Sequence, residues 1–260
     1  MILLDPKERS ARGRAAQNEL TGKPPQEPVT PYQASLRDFL YAEVWTRRGL
    51  DLRARFLISL AGAACTANAA DGLRHARGAL KGGHVTLAEL REAALHVAVY
   101  CGWSAGGLLD QAITDAASEL GLTEPEFGPI RAEPWDAEQR HADGIAGFLN
   151  VMKFGGPPPQ SAYYEGGIVN FVFGEMWTRP GLDQRSRRWL TLVGVGFSSA
   201  TTPIRSHVWS AMASGNATRD EMLEFVLQYA VYAGWPRGSV MQSAVLEQAP
   251  RAETGLPFEA

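Results

Sequence analysis

The sequence predicts an all-α protein in which one helical unit of about 130 residues occurs twice. Three observations carry this prediction. The string Phe39-Leu40-Tyr41-Ala42-Glu43-Val44-Trp45-Thr46-Arg47 returns as Phe171-Val172-Phe173-Gly174-Glu175-Met176-Trp177-Thr178-Arg179, an offset of 132 that holds without a gap from residue 39 to residue 106. Helix-start signals return with it, and apolar residues in both copies fall at helical spacing while strand signals are weak. Across the 68 paired positions 25 residues are identical, where background composition gives about 4.

Taken in order, the repeat begins upstream of that block. Asp5, Arg9, Ala11 and Gly13 meet Asp136, Arg140, Ala142 and Gly144 at an offset of 131, so one residue is inserted between the two blocks. Gly49-Leu50-Asp51 and Gly181-Leu182-Asp183 read as turns that open a helix, with the Asp as N-cap. Gly83 and Gly215 fall where a helix should end. Thr86 and Thr218 then stand three residues before Glu89 and Glu221, a capping box in each copy. Leu87, Leu90, Ala94, Val97 and Ala98 share one face of the following helix, as do Met222, Phe225, Val226, Tyr229 and Ala230. Gly102 and Gly234 close it, with Pro236 two residues beyond the second. The polar, Pro-containing stretch from Thr123-Glu124-Pro125 to Glu133-Pro134-Trp135 reads as a linker, which puts the two units at residues 1–122 and 135–254. A second Pro-rich loop, Gly155-Gly156-Pro157-Pro158-Pro159, lies inside the second copy. The unit is too long for a solenoid repeat and reads as a fused pair of small domains.

The bulk numbers fit a globular chain and exclude several classes. Of 260 residues 45% are apolar and 20% charged, and the net charge of −3 comes with scattered Lys and Arg, which argues against nucleic-acid binding. The opening Met1-Ile2-Leu3-Leu4 is too short for a signal peptide, and no apolar stretch is long enough for a membrane span. Cys65 and Cys101 sit in no CxxC and no ligand cluster, so a reducing cytoplasm with no disulfide framework and no metal site is expected. Both cysteines read as small buried apolar residues.

The string from Gly174 to Asp183, together with Leu73-Arg74-His75-Ala76-Arg77-Gly78-Ala79-Leu80 and Tyr232-Ala233-Gly234-Trp235-Pro236, resembles the γ-carboxymuconolactone decarboxylase family. The resemblance covers nearly the whole chain, about one family-length subunit per copy. It implies two fused copies of an alkyl hydroperoxidase D-like helical unit, and a homo-oligomeric ring in which three fused pairs replace six single units. It also implies a decarboxylase without a cofactor, acting on a small organic acid or lactone in aromatic degradation. Two other readings stay open: a cofactorless isomerase or other proton-transfer enzyme on a bulkier substrate, and a non-catalytic helical ring scaffold.

The departures from the family are informative. The peroxidatic branch needs a CxxC upstream of its His, and those positions hold Asn68 and Asp71 in copy one and Ala200 and Pro203 in copy two. Thiol peroxidase chemistry is therefore disfavoured. His-x-Arg survives as His75 and Arg77 but becomes His207-Val208-Trp209 in copy two. Copy one has His96 where copy two has the family-like Gln228, and it lacks the Pro found in the Arg-Pro-Gly and Gly-Trp-Pro turns of copy two. The copies are not equivalent.

Loss of CO2 leaves an electron pair that must spread into a neighbouring carbonyl, and carbon must then be protonated. Such a site needs a donor aimed at the developing oxyanion and an acid, for which His is the usual choice. His75 and His207 are the proton-donor candidates; outside the motif, a lone helix His is ordinarily a solvated surface residue. Glu43 and Glu175 are further catalytic candidates that read equally as surface partners of Arg47 and Arg179 at i+4. Arg77, Arg55 and Arg187 are candidates to hold substrate carboxylates, against a structural role in salt bridges that Arg53 and Arg185 share. Trp45, Trp103, Trp177 and Trp235 are candidates to wall the pocket, against simple core packing.

Overall fold

The computed structural model describes residues 4–131, 133, 135–155 and 161–259. These residues are helical throughout their regular structure, as expected. Gly156 to Pro159 of the Pro-rich loop, and Pro134 of the linker, lie outside the described residues.

The first half runs α1 (Pro6–Thr21), α2 (Pro31–Ser35), a wide-turn π-helix π1 (Leu36–Val44), α3 (Leu52–Cys65), α4 (Ala69–Lys81), α5 (Leu87–Cys101) and α6 (Trp103–Leu120). The second half runs α7 (Ala137–Met152), π2 (Tyr163–Met176), α8 (Gln184–Ser198), α9 (Thr201–Ala213), α10 (Arg219–Ala233) and α11 (Trp235–Glu253). The anticipated caps are present. Asp51 accepts from Ala54 N at 2.7 Å and Asp183 from Ser186 N at 2.8 Å. Both capping boxes close, at Thr86–Glu89 and Thr218–Glu221. Gly102 and Gly234 join α5 to α6 and α10 to α11 at φ of +93° and +90°, a region that glycine alone enters without strain.

The π winding was not anticipated. Its signature is the i→i+5 bond, made by Trp45 N to Leu40 O and by Trp177 N to Val172 O, each at 3.0 Å. Both π-helices end at the Trp of the repeated Glu-x-Trp string.

The halves interlock. α3 and α8 pack side by side, α10 crosses onto α3 and α5 crosses onto α8. Each half thus lends a helix to the other half's central helix. One hydrophobic core runs through both, joining Phe56, Leu57 and Leu60 of α3 with Leu190 and Val193 of α8 and Phe225 and Tyr229 of α10. A smaller cluster, with Phe148, Met152, Phe173 and Trp177, sits between α7 and π2.

Two matching arginine clasps hold the crossing. Arg55 is fully buried and donates to Gln228 Oε1 at 2.7 Å and Glu224 Oε2 at 3.3 Å, while Arg47 also pairs with Glu224. On the other side Arg187 reaches Glu92 at 3.4 Å and Arg179 reaches the same carboxylate at 2.9 Å. These are charge-assisted bonds in a largely dry setting, so removing one partner strands a buried charge.

Candidate active site

α4 places His75 against Trp45 of π1, with the rings stacked 5.5 Å apart. α10 brings Tyr232 from the other half, and its Oη lies 3.0 Å from His75 Nε2. Trp45 Nε1 donates to the same hydroxyl at 3.3 Å. An indole N–H can only donate, so the Tyr232 oxygen accepts there and its own hydrogen is free for His75 Nε2. The Trp45, Tyr232 and His75 side chains form one hydrogen-bonded row.

This row opens on a cavity of about 280 Å³ lined by Tyr41, Asp71, Arg74, His75, Tyr232 and Trp235, with Leu36, Phe39 and Leu40 as apolar wall. Arg74 bonds Asp71 at 2.5 Å. Tyr41 is buried with its hydroxyl close to Arg74, and among the described residues that hydroxyl makes no hydrogen bond of ordinary geometry. Burial, reinforced by the Arg74 charge, pushes His75 down to about 3, so the imidazole is neutral. Burial raises Tyr232 well above the usual phenol range, and raises Tyr41 to about 12, so both phenols keep their protons. Burial lowers the Arg74 guanidinium, but Tyr41, Asp71 and Tyr232 more than offset it and the net shift is upward.

The corresponding positions in the second half are different. Tyr41, Asp71 and Arg74 are matched by Phe173, Pro203 and Ser206. His207 packs edge-on to Tyr100 at 5.6 Å, and Tyr100 accepts from Trp177 Nε1 at 2.8 Å. Arg188 stands where the first half has Phe56. It is fully buried, lies 4.9 Å from the Trp177 ring, donates to Val151 O at 2.7 Å and approaches His207 Nδ1 at 3.4 Å. No Asp or Glu pairs with it among the described residues. Burial lowers Arg188 to about 10 and His207 to about 3, the latter with Arg188 adding to the effect. The cation that copy one presents to a cavity is thus packed into the wall in copy two.

The structure brings some of the candidate residues together and separates others. His75 and Trp235 line the cavity, and Trp45 stacks on His75 without lining it. Glu43 faces the other way: it pairs with Arg9 at 2.5 Å and lines a neighbouring hollow that shares Phe39 and Trp235 with the first. Glu175 is buried and pairs with Arg131 at 3.0 Å, not with Arg179. Arg77 leaves His75 behind, as i,i+2 spacing requires, and donates to Thr21 O at 2.9 Å and Glu119 at 3.1 Å. Arg55 and Arg187 are spent on the clasps. Trp177 sits with His96, Tyr100 and Arg188, and the exposed Trp103 stacks on Phe171 at 6.0 Å. Cys65 and Cys101 are part-exposed rather than buried, and they face one another.

Sequence reasoning missed Tyr232, Arg74, Tyr41 and Asp71. The signals were present: Tyr100 and Tyr232 are identical across the repeat, and Arg74 adjoins His75. Neither fact names a partner until α10 is known to cross onto α3.

Fold and site together define an all-helical scaffold that buries a neutral imidazole–phenol pair beside an arginine in a small pocket. The carboxymuconolactone decarboxylase family matches residues 30–106, the segment that carries His75 and its surroundings. It is similar to 4-carboxymuconolactone decarboxylase of Acinetobacter baylyi, 33% identical over 69 residues, or 26% of this chain and 51% of that protein. It is also similar to nitrosuccinic acid decarboxylase of Metarhizium robertsii, 40% identical over 72 residues, or 28% of this chain and 50% of that protein. The chain spans about half the length of these curated relatives. Among the described residues no helix is long and apolar enough to cross a membrane.

Proposed function

We propose that the His75 cavity decarboxylates a small organic acid whose departing carboxylate is adjacent to an electron sink such as a lactone carbonyl or a nitro group. The observation that carries this is the Tyr232–His75 pair beside Arg74 in one pocket, in a chain whose relatives are named for decarboxylating acids of that kind.

Arg74 is the cation that holds the group receiving the electrons, with Tyr41 as an available hydroxyl donor beside it. The departing carboxylate faces Leu36, Phe39 and Trp235, where poor solvation favours loss of its charge. The C–CO2 bond breaks, its electron pair moves into the sink, and a proton from the Tyr232–His75 pair then goes to carbon. Because His75 is neutral, the acid is the phenol hydrogen held toward Nε2 and not a standing imidazolium. The Trp45 N–H and the Arg74 charge stabilise the phenolate left behind, and the phenolate regains its proton from water as product leaves. The second half contributes Tyr232 to this site, and its own His207 serves packing.

The test is CO2 release from 4-carboxymuconolactone and from nitrosuccinate by the full chain. Turnover of one of these acids, abolished in His75→Ala and retained in His207→Ala with folding intact, is the expected result. No CO2 from either acid at high enzyme concentration overturns the proposal, and equal small losses in the two variants overturn the site assignment.

A further inference from the structure

At the far ends of α3 and α5, Cys65 and Cys101 bring their sulfurs to 2.9 Å. Both residues are free thiols and part-exposed. α8 closes one side of the pair, where the backbone of Gly194 lies so near that a Cβ on it would come within 3.1 Å of Cys101 Sγ. Arg237 lies near enough to act on Cys65, with its guanidinium 5.0 Å from the Phe197 ring, and among the described residues the buried Tyr229 hydroxyl has no hydrogen-bond partner. The second half has Phe197 and Ala233 at the matching positions. The pair is therefore particular to the first half and separate from the decarboxylation pocket.

We propose that Cys65 and Cys101 are a redox-active dithiol that closes reversibly to an intramolecular disulfide in exchange with small disulfides, Cys65 being the attacking thiol. Two features support this assignment. The sulfurs already touch, at 2.9 Å, and a disulfide bond needs them only about 1 Å closer. The environments of the two thiols differ in sign: the contact with Cys101, and then the Arg237 charge, lower Cys65, whereas the contact with Cys65 and burial raise Cys101. A thiolate at Cys65 is thus favoured at the expense of Cys101, the division of labour an attacking and a resolving cysteine need.

The exchange balances in two steps. The Cys65 thiolate attacks one sulfur of a small disulfide RSSR, forming a mixed disulfide and expelling RS⁻. Cys101 loses its proton and attacks Cys65 Sγ, expelling the second RS⁻. The two protein thiols are oxidised and RSSR is reduced to two RSH.

The experiment equilibrates the full chain in glutathione buffers from fully reduced to fully oxidised, quenches in acid, alkylates with N-ethylmaleimide after denaturation, and reads the intact mass. The expected result is a change from two maleimides to none, with no glutathione retained. Cys101→Ser should trap one glutathione, on Cys65, and Cys65→Ser should stay unmodified over the same time. Two alkylatable thiols across the whole range in the wild-type chain, or a stable glutathione adduct on it, overturns the dithiol without recourse to any variant. Glutathione on Cys101 in Cys65→Ser, faster than on Cys65 in Cys101→Ser, overturns the assignment of the attacking thiol.

Discussion

At the residue scale the proposed reaction depends on which side chain owns a proton. Tyr232→Phe keeps the ring, its packing on His75 and the α10 helix, and removes the hydroxyl that links Trp45 to His75. Loss of a positioned proton donor costs about 100-fold or more in kcat, and that is the expected effect, with circular dichroism unchanged. A wild-type kcat in this variant would remove Tyr232 from the mechanism. The buried histidines also set a pH dependence of stability. His75 and His207 sit at about 3 in the folded chain, against 6.5 for an exposed imidazole, and His96 is also pushed well down by burial. Below 6.5 the unfolded chain takes up protons that the folded chain refuses, so stability falls as pH drops from 6.5 toward 3. Urea midpoints taken between about pH 7 and about pH 5 should fall, and fall less in His75→Gln. His75 and Trp45 were legible because they recur at a fixed offset and sit in a family string. Tyr232 and Arg74 were not, since their role depends on contacts far apart in sequence: Tyr232 meets His75 157 residues away.

At the element scale the packing is set by close helix crossings that only glycine permits. A Cβ on Gly13 of α1 would lie 2.0 Å from Arg37 O of π1, and one on Gly144 of α7 would lie 2.3 Å from Val169 O of π2. The sequence pairs these two glycines at an offset of 131, and the structure has both at the crossing of a helix on the following π-helix. The crossing was therefore legible as a recurring small residue, though not as a contact. The π winding was not legible, because apolar spacing over two turns is satisfied by 3.6-residue and by wider turns alike. Gly78 of α4 gives the clearest test. A Cβ there would meet Leu20 O at 1.9 Å, while Gly107 of α6 has nothing within 4 Å. Gly78→Ala should destabilise by about 2 kcal/mol through overpacking, and Gly107→Ala should stabilise by up to about 1 kcal/mol through helix propensity. Thermal melts of the two variants check both signs. A neutral Gly78→Ala would mean that α1 and α4 separate freely.

At the scale of the whole molecule, the repeat that the sequence displays as two consecutive units is folded as two units that complete each other. The first carries His75, Trp45 and Arg74, but Tyr232, Glu224 and Gln228 come from the second. Removing Glu224 leaves the fully buried Arg55 without its carboxylate, and Glu224→Ala should cost about 3 kcal/mol or more, read as a lower urea midpoint. The same logic governs the separated halves. A fragment of residues 1–122 lacks Tyr232. A pair of such fragments could offer Tyr100 in its place, but it would then set His96 where Gln228 accepts from Arg55, an imidazole against a guanidinium. We therefore expect fragment 1–122 alone to be inactive, and mixing it with fragment 135–254 to restore the proposed decarboxylation through a one-to-one complex seen by size-exclusion chromatography. An active 1–122 fragment would show that the second half is dispensable to the His75 site, and would return the two units to the independent domains that the linker suggests.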